Sequence, residues 1–160
     1  MLNLYVGDWT SSEIILNEPS FGYGTYHVKF TSVGFAFADI DPNLVFGVFL
    51  YDDYTPGVPA YNNEVDLEIS KWAAVDNPNT LQFVRQPFES LGNFKKFALP
   101  AAQTEMSFVL TWLEGSLQFQ LFNGHGASAC GNLASDQVAT WTYTCVVCTV
   151  ELRCLSPLLN

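Results

Sequence analysis

The stretch Glu64-Val65-Asp66-Leu67-Glu68 decides the fold, and Ile69 continues its pattern. Acidic and aliphatic residues alternate strictly, which is typical of a β-strand with one buried face. On such a strand the three acids share one face, and the aliphatic side chains share the other. We therefore expect the apolar face to pack into a core while Glu64, Asp66 and Glu68 lie in a row on the other face.

This row of carboxylates is costly, because like charges on one face repel and burial disfavours their charged forms. Glycoside hydrolysis needs such a pair, with one carboxylate as nucleophile and the other as proton donor. The competing interpretation is a solvated edge strand with an acidic stripe, since acids are normally exposed. Under the first interpretation, Glu68 is predicted to stay protonated near neutral pH because Glu64 and Asp66 are negative beside it.

The rest of the chain also reads as short strands separated by turns. Aromatic residues make up 15% of the 160 residues, and eleven Gly and eight Pro interrupt the apolar runs. We predict about nine strands, at residues 2–6, 13–17, 22–31, 44–51, 64–69, 80–86, 106–113, 117–122 and 145–154. This arrangement predicts a single all-β domain over residues 1–160, an antiparallel β-sandwich or jelly roll whose curved sheet offers a groove.

Charge and hydropathy exclude several classes of partner. The net charge is −10, with 16 acidic residues against 6 Lys and Arg, so no nucleic-acid partner is expected. No apolar run reaches the roughly 18 residues that span a bilayer. Residues 1–8 lack a basic n-region and a long apolar h-region, so we predict no signal peptide there. An acidic chain rich in aromatics favours a neutral, hydroxyl-rich ligand.

All four cysteines lie near the end of the chain, at Cys130, Cys145, Cys148 and Cys154. The Cys145-x-x-Cys148 spacing occurs in zinc and redox sites. A matching second ligand pair on a turn is missing, and buried free thiols or an opportunistic disulfide are the favoured interpretation. We therefore predict no metal site, and the sequence assigns no role to these cysteines.

Together with its neighbours, the acidic stretch resembles glycoside hydrolase family 16, the laminarinase, lichenase and xyloglucan-transferase group with its E-x-D-x-E signature. Further similar stretches follow the family's order: Gly22-Tyr23-Gly24-Thr25-Tyr26, residues 45–51, Trp72, the hairpin with Trp112 at 106–124, and Trp141-Thr142-Tyr143 with the last strand. The resemblance covers most of residues 9–155. Family domains are usually longer, so we expect a shortened member in which residues 2–6 alone represent the strands before Trp9.

The resemblance implies a β-jelly roll and endo-acting, retaining hydrolysis of a β-glucan-like or galactan-like polysaccharide. By position, Glu64 would be the nucleophile and Glu68 the acid/base, with Asp66 tuning both. It also implies action outside the cytoplasm and no cofactor. We expect a monomer that acts on a polysaccharide or oligosaccharide. A lectin-like carbohydrate-binding domain, a transglycosylase and a structural protein remain alternatives.

Six residues near the acids are candidates for substrate binding. Aromatic rings can stack on the C–H faces of sugars, and amides can bond their hydroxyl groups. The candidates are Phe49, Tyr51, Trp72, Asn62, Gln82 and Gln86. For the aromatic residues the alternative is a place in the core, and for the amides it is solvent exposure or shaping of a turn. Trp112, which shares a face with Phe108 and Leu110, is predicted to be core.

Overall fold

The computed structural model describes residue 4 and residues 11–16, 22–51, 63–126 and 136–144. Within this part of the chain the regular structure is a series of eight β-strands and one short 3-10 turn, Phe37–Asp39, with no α-helix. The strands are β1 Gly24–Thr31, β2 Val45–Tyr51, β3 Glu64–Ser70, β4 Leu81–Arg85, β5 Phe94–Phe97, β6 Glu105–Leu113, β7 Ser116–Asn123 and β8 Gln137–Thr144.

These strands form two four-stranded antiparallel sheets. One has the order β2-β3-β4-β5 and is called the acidic sheet below; the other, the opposite sheet, has the order β1-β6-β7-β8. The predicted all-β sandwich is therefore confirmed, whereas the jelly-roll connection remains a prediction. β3 lies inside its sheet, paired with β2 on one side and β4 on the other. The interpretation of the acidic stretch as an edge strand is therefore wrong.

The core lies between the sheets and is built largely from aromatic rings. Phe83 of β4 stacks on Phe119 of β7 with ring centroids 5.2 Å apart, and lies 6.1 Å from Phe108 of β6. Trp112, also on β6, is 8% exposed and belongs to the same cluster, as predicted. Large flat rings that interdigitate in this way hold the two sheets face to face.

The alternating segments were predicted within one or two residues at either end. The hairpin between β6 and β7 is as predicted: Leu113 pairs with Ser116, and Gly115 turns the chain with φ +75°. Residues 11–16, however, form no strand, and the apolar side chains at 14–16 are exposed. That run is continuously apolar rather than alternating, so it lacks the two-faced pattern of a sandwich strand. The predicted strands at 2–6 and 145–154 lie outside the described residues, Leu4 excepted.

Two strands of the structure were absent from the prediction. β5 reads Phe-Lys-Lys-Phe and is the edge of the acidic sheet. Its two lysines hide the alternation, although charged residues are usual on an edge strand because they discourage further pairing. β8, Gln137–Thr144, places Ala139, Trp141 and Tyr143 against the core. Threonines alternate with these residues, which is the period-two pattern of a strand.

Candidate functional site

The three acids lie on the outer face of β3, as the alternation predicts. Val65, Leu67 and Ile69 on the inner face are at most 2% exposed. The β2–β3 register runs without a shift from Val45 opposite Ser70 to Tyr51 opposite Glu64, so the acids keep one face throughout. Glu64 and Glu68 are half-buried, while Asp66 between them is only 3% exposed.

On the β2 side, each acid has one neighbour in the same row of the sheet. Tyr51 is opposite Glu64, Phe49 is opposite Asp66, and Gly47 is opposite Glu68. Paired residues on one face are about 5 Å apart at Cβ, so their side chains are in contact range. The candidates Tyr51 and Phe49 are therefore brought to the acids, and Phe49 is 44% exposed.

On the β4 side, two amides reach the acids directly. Gln82 is opposite Glu68, and its Nε2 donates a hydrogen bond to Glu68 Oε2. Gln86 follows the end of β4; its backbone N–H donates to the Glu64 carbonyl at 3.0 Å, and its Nε2 donates to Asp66 Oδ2 at 3.3 Å. The other side-chain atom of Gln86, Oε1, accepts from the Phe88 N–H at 3.0 Å. Gln82 and Gln86 thus contact the carboxylates rather than only solvent.

Asp66 is the most perturbed acid of the row. Burial is the largest cause that raises the pKa of Asp66 to about 9. The negative charge of Glu64, a hydrogen bond with the Glu64 side chain and the charge of Glu68 raise this pKa further, whereas the hydrogen bond from Gln86 lowers it. Asp66 is therefore protonated at neutral pH and can donate its hydroxyl hydrogen to Glu64.

Glu68 is perturbed in the same direction but for a reason other than the one we expected. Burial is the largest cause that raises the pKa of Glu68; the Gln82 hydrogen bond opposes it, and the charge of Glu64 adds to it. The sequence argument assigned the shift to negative Glu64 and Asp66 together. Asp66 carries no charge at neutral pH, so desolvation and Glu64 account for the shift instead.

Of the two other candidates, Trp72 does not pair within the rows of the acids. Trp72 lies two residues beyond the end of β3 with φ +53°, and its N–H donates to Ser70 Oγ at 3.0 Å. Its side chain is exposed, so the alternative that Trp72 belongs to the core is wrong. Because Trp72 follows the end of β3, it is not paired with any residue of the strands that flank the acids. Asn62 lies outside the described residues.

Sequence reasoning missed the rest of this face. Gly47 on β2, and Phe94 and Lys96 on β5, share it with the acids. Phe94 continues the row of Phe49, Asp66 and Val84, and Lys96 continues the row of Glu68 and Gln82. The only signal in the sequence was the period-two spacing of Phe94 and Lys96, which a four-residue strand is too short to make visible.

No family model, curated protein or solved structure matches this chain. Its resemblance to glycoside hydrolase family 16 therefore remains a prediction that depends on the residues quoted above. Among the described residues, no group of three or more His, Cys, Asp or Glu side chains is placed to hold a metal ion. The cysteines lie outside that part of the chain, and none of its helices is long and apolar enough to cross a bilayer.

Proposed function

We propose that this protein is a retaining, endo-acting glycoside hydrolase whose reaction centre is the outer face of β3. The observation that carries the proposal is the row of Glu64, Asp66 and Glu68 on an interior strand, with Asp66 buried between two half-buried acids. An interior strand gains nothing structurally from three acids, and their burial costs stability. Such a cost is typical of a site whose pKa values serve chemistry.

The proposed reaction has two displacements at the anomeric carbon. In the first, a Glu64 carboxylate oxygen bonds to this carbon while the bond to the leaving oxygen breaks and Glu68 gives that oxygen its proton. In the second, Glu68 takes a proton from water, the water oxygen bonds to the anomeric carbon, and the Glu64 ester bond breaks. The raised pKa of Glu68 suits the first step, because a general acid must hold its proton near the working pH.

Neutral Asp66 has a separate role in this scheme. By donating a hydrogen bond to Glu64, it keeps that carboxylate oriented without placing a second negative charge beside it. Gln82 on β4 donates a hydrogen bond to Glu68, and Gln86, just after β4, donates one to Asp66. Phe49 and Tyr51 provide aromatic surface in the adjoining rows, where a sugar ring can stack.

The test measures release of reducing ends from a panel of β-glucans and galactans by the native chain, Glu64→Gln and Glu105→Gln. Glu105 is an exposed acid on β6 of the opposite sheet, so it controls for the same change on a strand. We expect Glu64→Gln to lose about 10³-fold or more of the activity, and Glu105→Gln to keep it. No release by the folded native chain, or equal release by Glu64→Gln, would refute the proposal; glycan binding without release would indicate a lectin-like domain.

The stereochemistry is a separate measurement. Proton NMR of the first product identifies the anomer formed before mutarotation. Retention requires carboxyl groups about 5–5.5 Å apart, whereas inversion requires about 6.5–9.5 Å. Glu64 and Glu68 are i and i+4 on a strand, roughly 13 Å apart at Cα if the strand is flat, so their side chains must lean together for retention. An inverted product would contradict the role of Glu64 as nucleophile.

A further inference from the structure

A glycine in the middle of β2 has no evident structural purpose. Gly47 is the third of seven residues in this strand, opposite Glu68. Glycine weakens the interior of a strand, where it is usually found at a bulge, at a bend, or where a ligand or another backbone comes close. The β2–β3 register contains no shift, so a bulge does not account for Gly47.

A side chain could be accommodated at position 47 without a clash. A Cβ atom built on this residue would lie 3.9 Å from the Leu67 carbonyl oxygen and 3.9 Å from Cδ1 of Phe49, and these are ordinary van der Waals distances. The backbone of Gly47 is also not in the left-handed region, where glycine is favoured. Neither backbone strain nor a steric clash therefore requires glycine here, and close approach of a ligand is one of the remaining reasons for a strand glycine.

The walls of this space have the chemistry of a sugar subsite. We define the β2 notch as the gap that Gly47 leaves between Val45 and Phe49, whose Cα atoms are roughly 13 Å apart along the strand. Along β2 the notch ends at the exposed ring of Phe49. Across from it, on β3, lies the half-buried side chain of Glu68. Gln82 binds Glu68 from the β4 side, opposite to the notch.

We propose that the β2 notch receives the sugar ring on which Glu68 acts, and that the missing side chain of Gly47 determines whether a ring can reach that carboxyl. This inference rests on the proposed glycosidase function and goes beyond it by naming a residue that controls access. An apolar wall suits the C–H face of a pyranose ring, and an acid wall suits the oxygen that is protonated. A side chain at position 47 would occupy the same space.

The experiment compares native protein, Gly47→Ala, Gly47→Val and the control Gly24→Val on the polysaccharide that the native chain hydrolyses. Gly24 is a strand glycine of β1 on the opposite sheet with nothing within 4 Å of its ideal Cβ, so Gly24→Val controls for the same change in another strand. We expect Gly47→Val to keep or raise Tm, since valine favours strands, and to lose at least about 100-fold in kcat/KM. Gly47→Ala should lose less, and Gly24→Val should retain native activity.

Each outcome distinguishes the inference from the function on which it rests. If the native chain is active and folded Gly47→Val is equally active, the notch is not a subsite, while the proposed function stands. If Gly47→Val fails to fold, the space is filled by protein and the inference is wrong. If the folded native chain releases nothing from the panel, the proposed function fails and the inference fails with it.

Discussion

The outer faces of the two sheets differ, although their inner faces are alike. Both sheets present apolar residues to one shared core. The outer face of the opposite sheet carries mainly uncharged polar side chains, among them Thr25, Thr111, Gln118, Gln120, Thr140 and Thr142. Several of these bond to one another, as Thr25 Oγ1 does with Thr111 Oγ1 at 3.4 Å and Gln120 Nε2 with Gln137 Oε1 at 3.3 Å.

The opposite sheet shows that an outer face of this sandwich can be built without a row of acids. Threonine and glutamine give most of the opposite sheet a wettable surface; its perturbed ionisable group is His27, whose pKa is lowered by burial and by the charge of Lys29. On the acidic sheet, the row of Gly47, Glu68, Gln82 and Lys96 corresponds to the row of Thr25, Thr111, Gln118 and Thr142. One row contains a perturbed acid and a gap, whereas the other contains ordinary strand residues. This contrast is what the proposed function of the acidic sheet leads us to expect.

The largest effect that distinguishes the two faces should come from Glu68→Gln. This variant keeps the shape of the side chain and the neighbouring strand, but it removes the proton that general acid catalysis requires. We expect a loss of about 10²–10⁴-fold in kcat, measured by reducing-end release, while Glu105→Gln on the opposite sheet remains active. Full activity of Glu68→Gln would show that the two outer faces do not differ in chemistry.

The inner faces should behave alike, which is the second test. Phe83 on the acidic sheet and Phe119 on the opposite sheet are both fully buried and stack on each other. Either change to Ala removes a large ring and leaves a cavity, so each should cost about 3–5 kcal/mol in the free energy of unfolding. Denaturant titration measures both values. A cost below about 1 kcal/mol for only one of them would mean that the sheets do not share one core.

Much of this comparison could be predicted from the sequence, because alternation reports which residues share a face. It identified the inner residues of β3 and the placement of the three acids together. It could not supply the partners of those acids, since register depends on the pairing of distant segments. The neighbours Gly47 and Lys96 became visible only when β2 and β5 were aligned beside β3 and β4. The burial of Asp66 likewise depends on the surrounding fold and not on its own strand.

The third prediction concerns the pH dependence of stability. The pKa of Asp66 is about 9 in the folded protein and near 4 when unfolded, so between these values the folded state holds a proton that the unfolded state has released. Stability should therefore fall as pH rises, by up to about 1.4 kcal/mol per pH unit from this group. Asp66→Asn keeps a neutral side chain and should flatten the slope between about pH 4 and pH 9.

Denaturant unfolding at a series of pH values measures this slope. Thr142→Ala, on the outer face of the opposite sheet, provides the control and should keep the native slope. A slope that is equally steep in Asp66→Asn would show that Asp66 ionises normally in the folded protein. The face would then lack the buried neutral acid that sets it apart from the opposite sheet.

The smallest effect is expected from Gln82, because its replacement removes a single hydrogen bond to Glu68. Gln82 Nε2 donates to Glu68, which stabilises the charged carboxylate and opposes the effect of burial. Gln82→Leu removes the donor, so the pKa of Glu68 should rise further. Because Glu68 must be protonated to act as the acid, the basic limb of the pH–rate profile should move to higher pH.

Two matched variants separate this effect from a general disturbance of the sheet. Gln86→Leu removes a bond to Asp66 rather than to Glu68, and Gln120→Leu removes an amide from the opposite sheet. Neither should move the basic limb as Gln82→Leu does. A loss of rate with an unchanged profile would mean that Gln82 only shapes the surface. A shift confined to Gln82→Leu would instead place the acid of the reaction at Glu68, since no other described hydrogen bond of Gln82 joins it to a carboxylate.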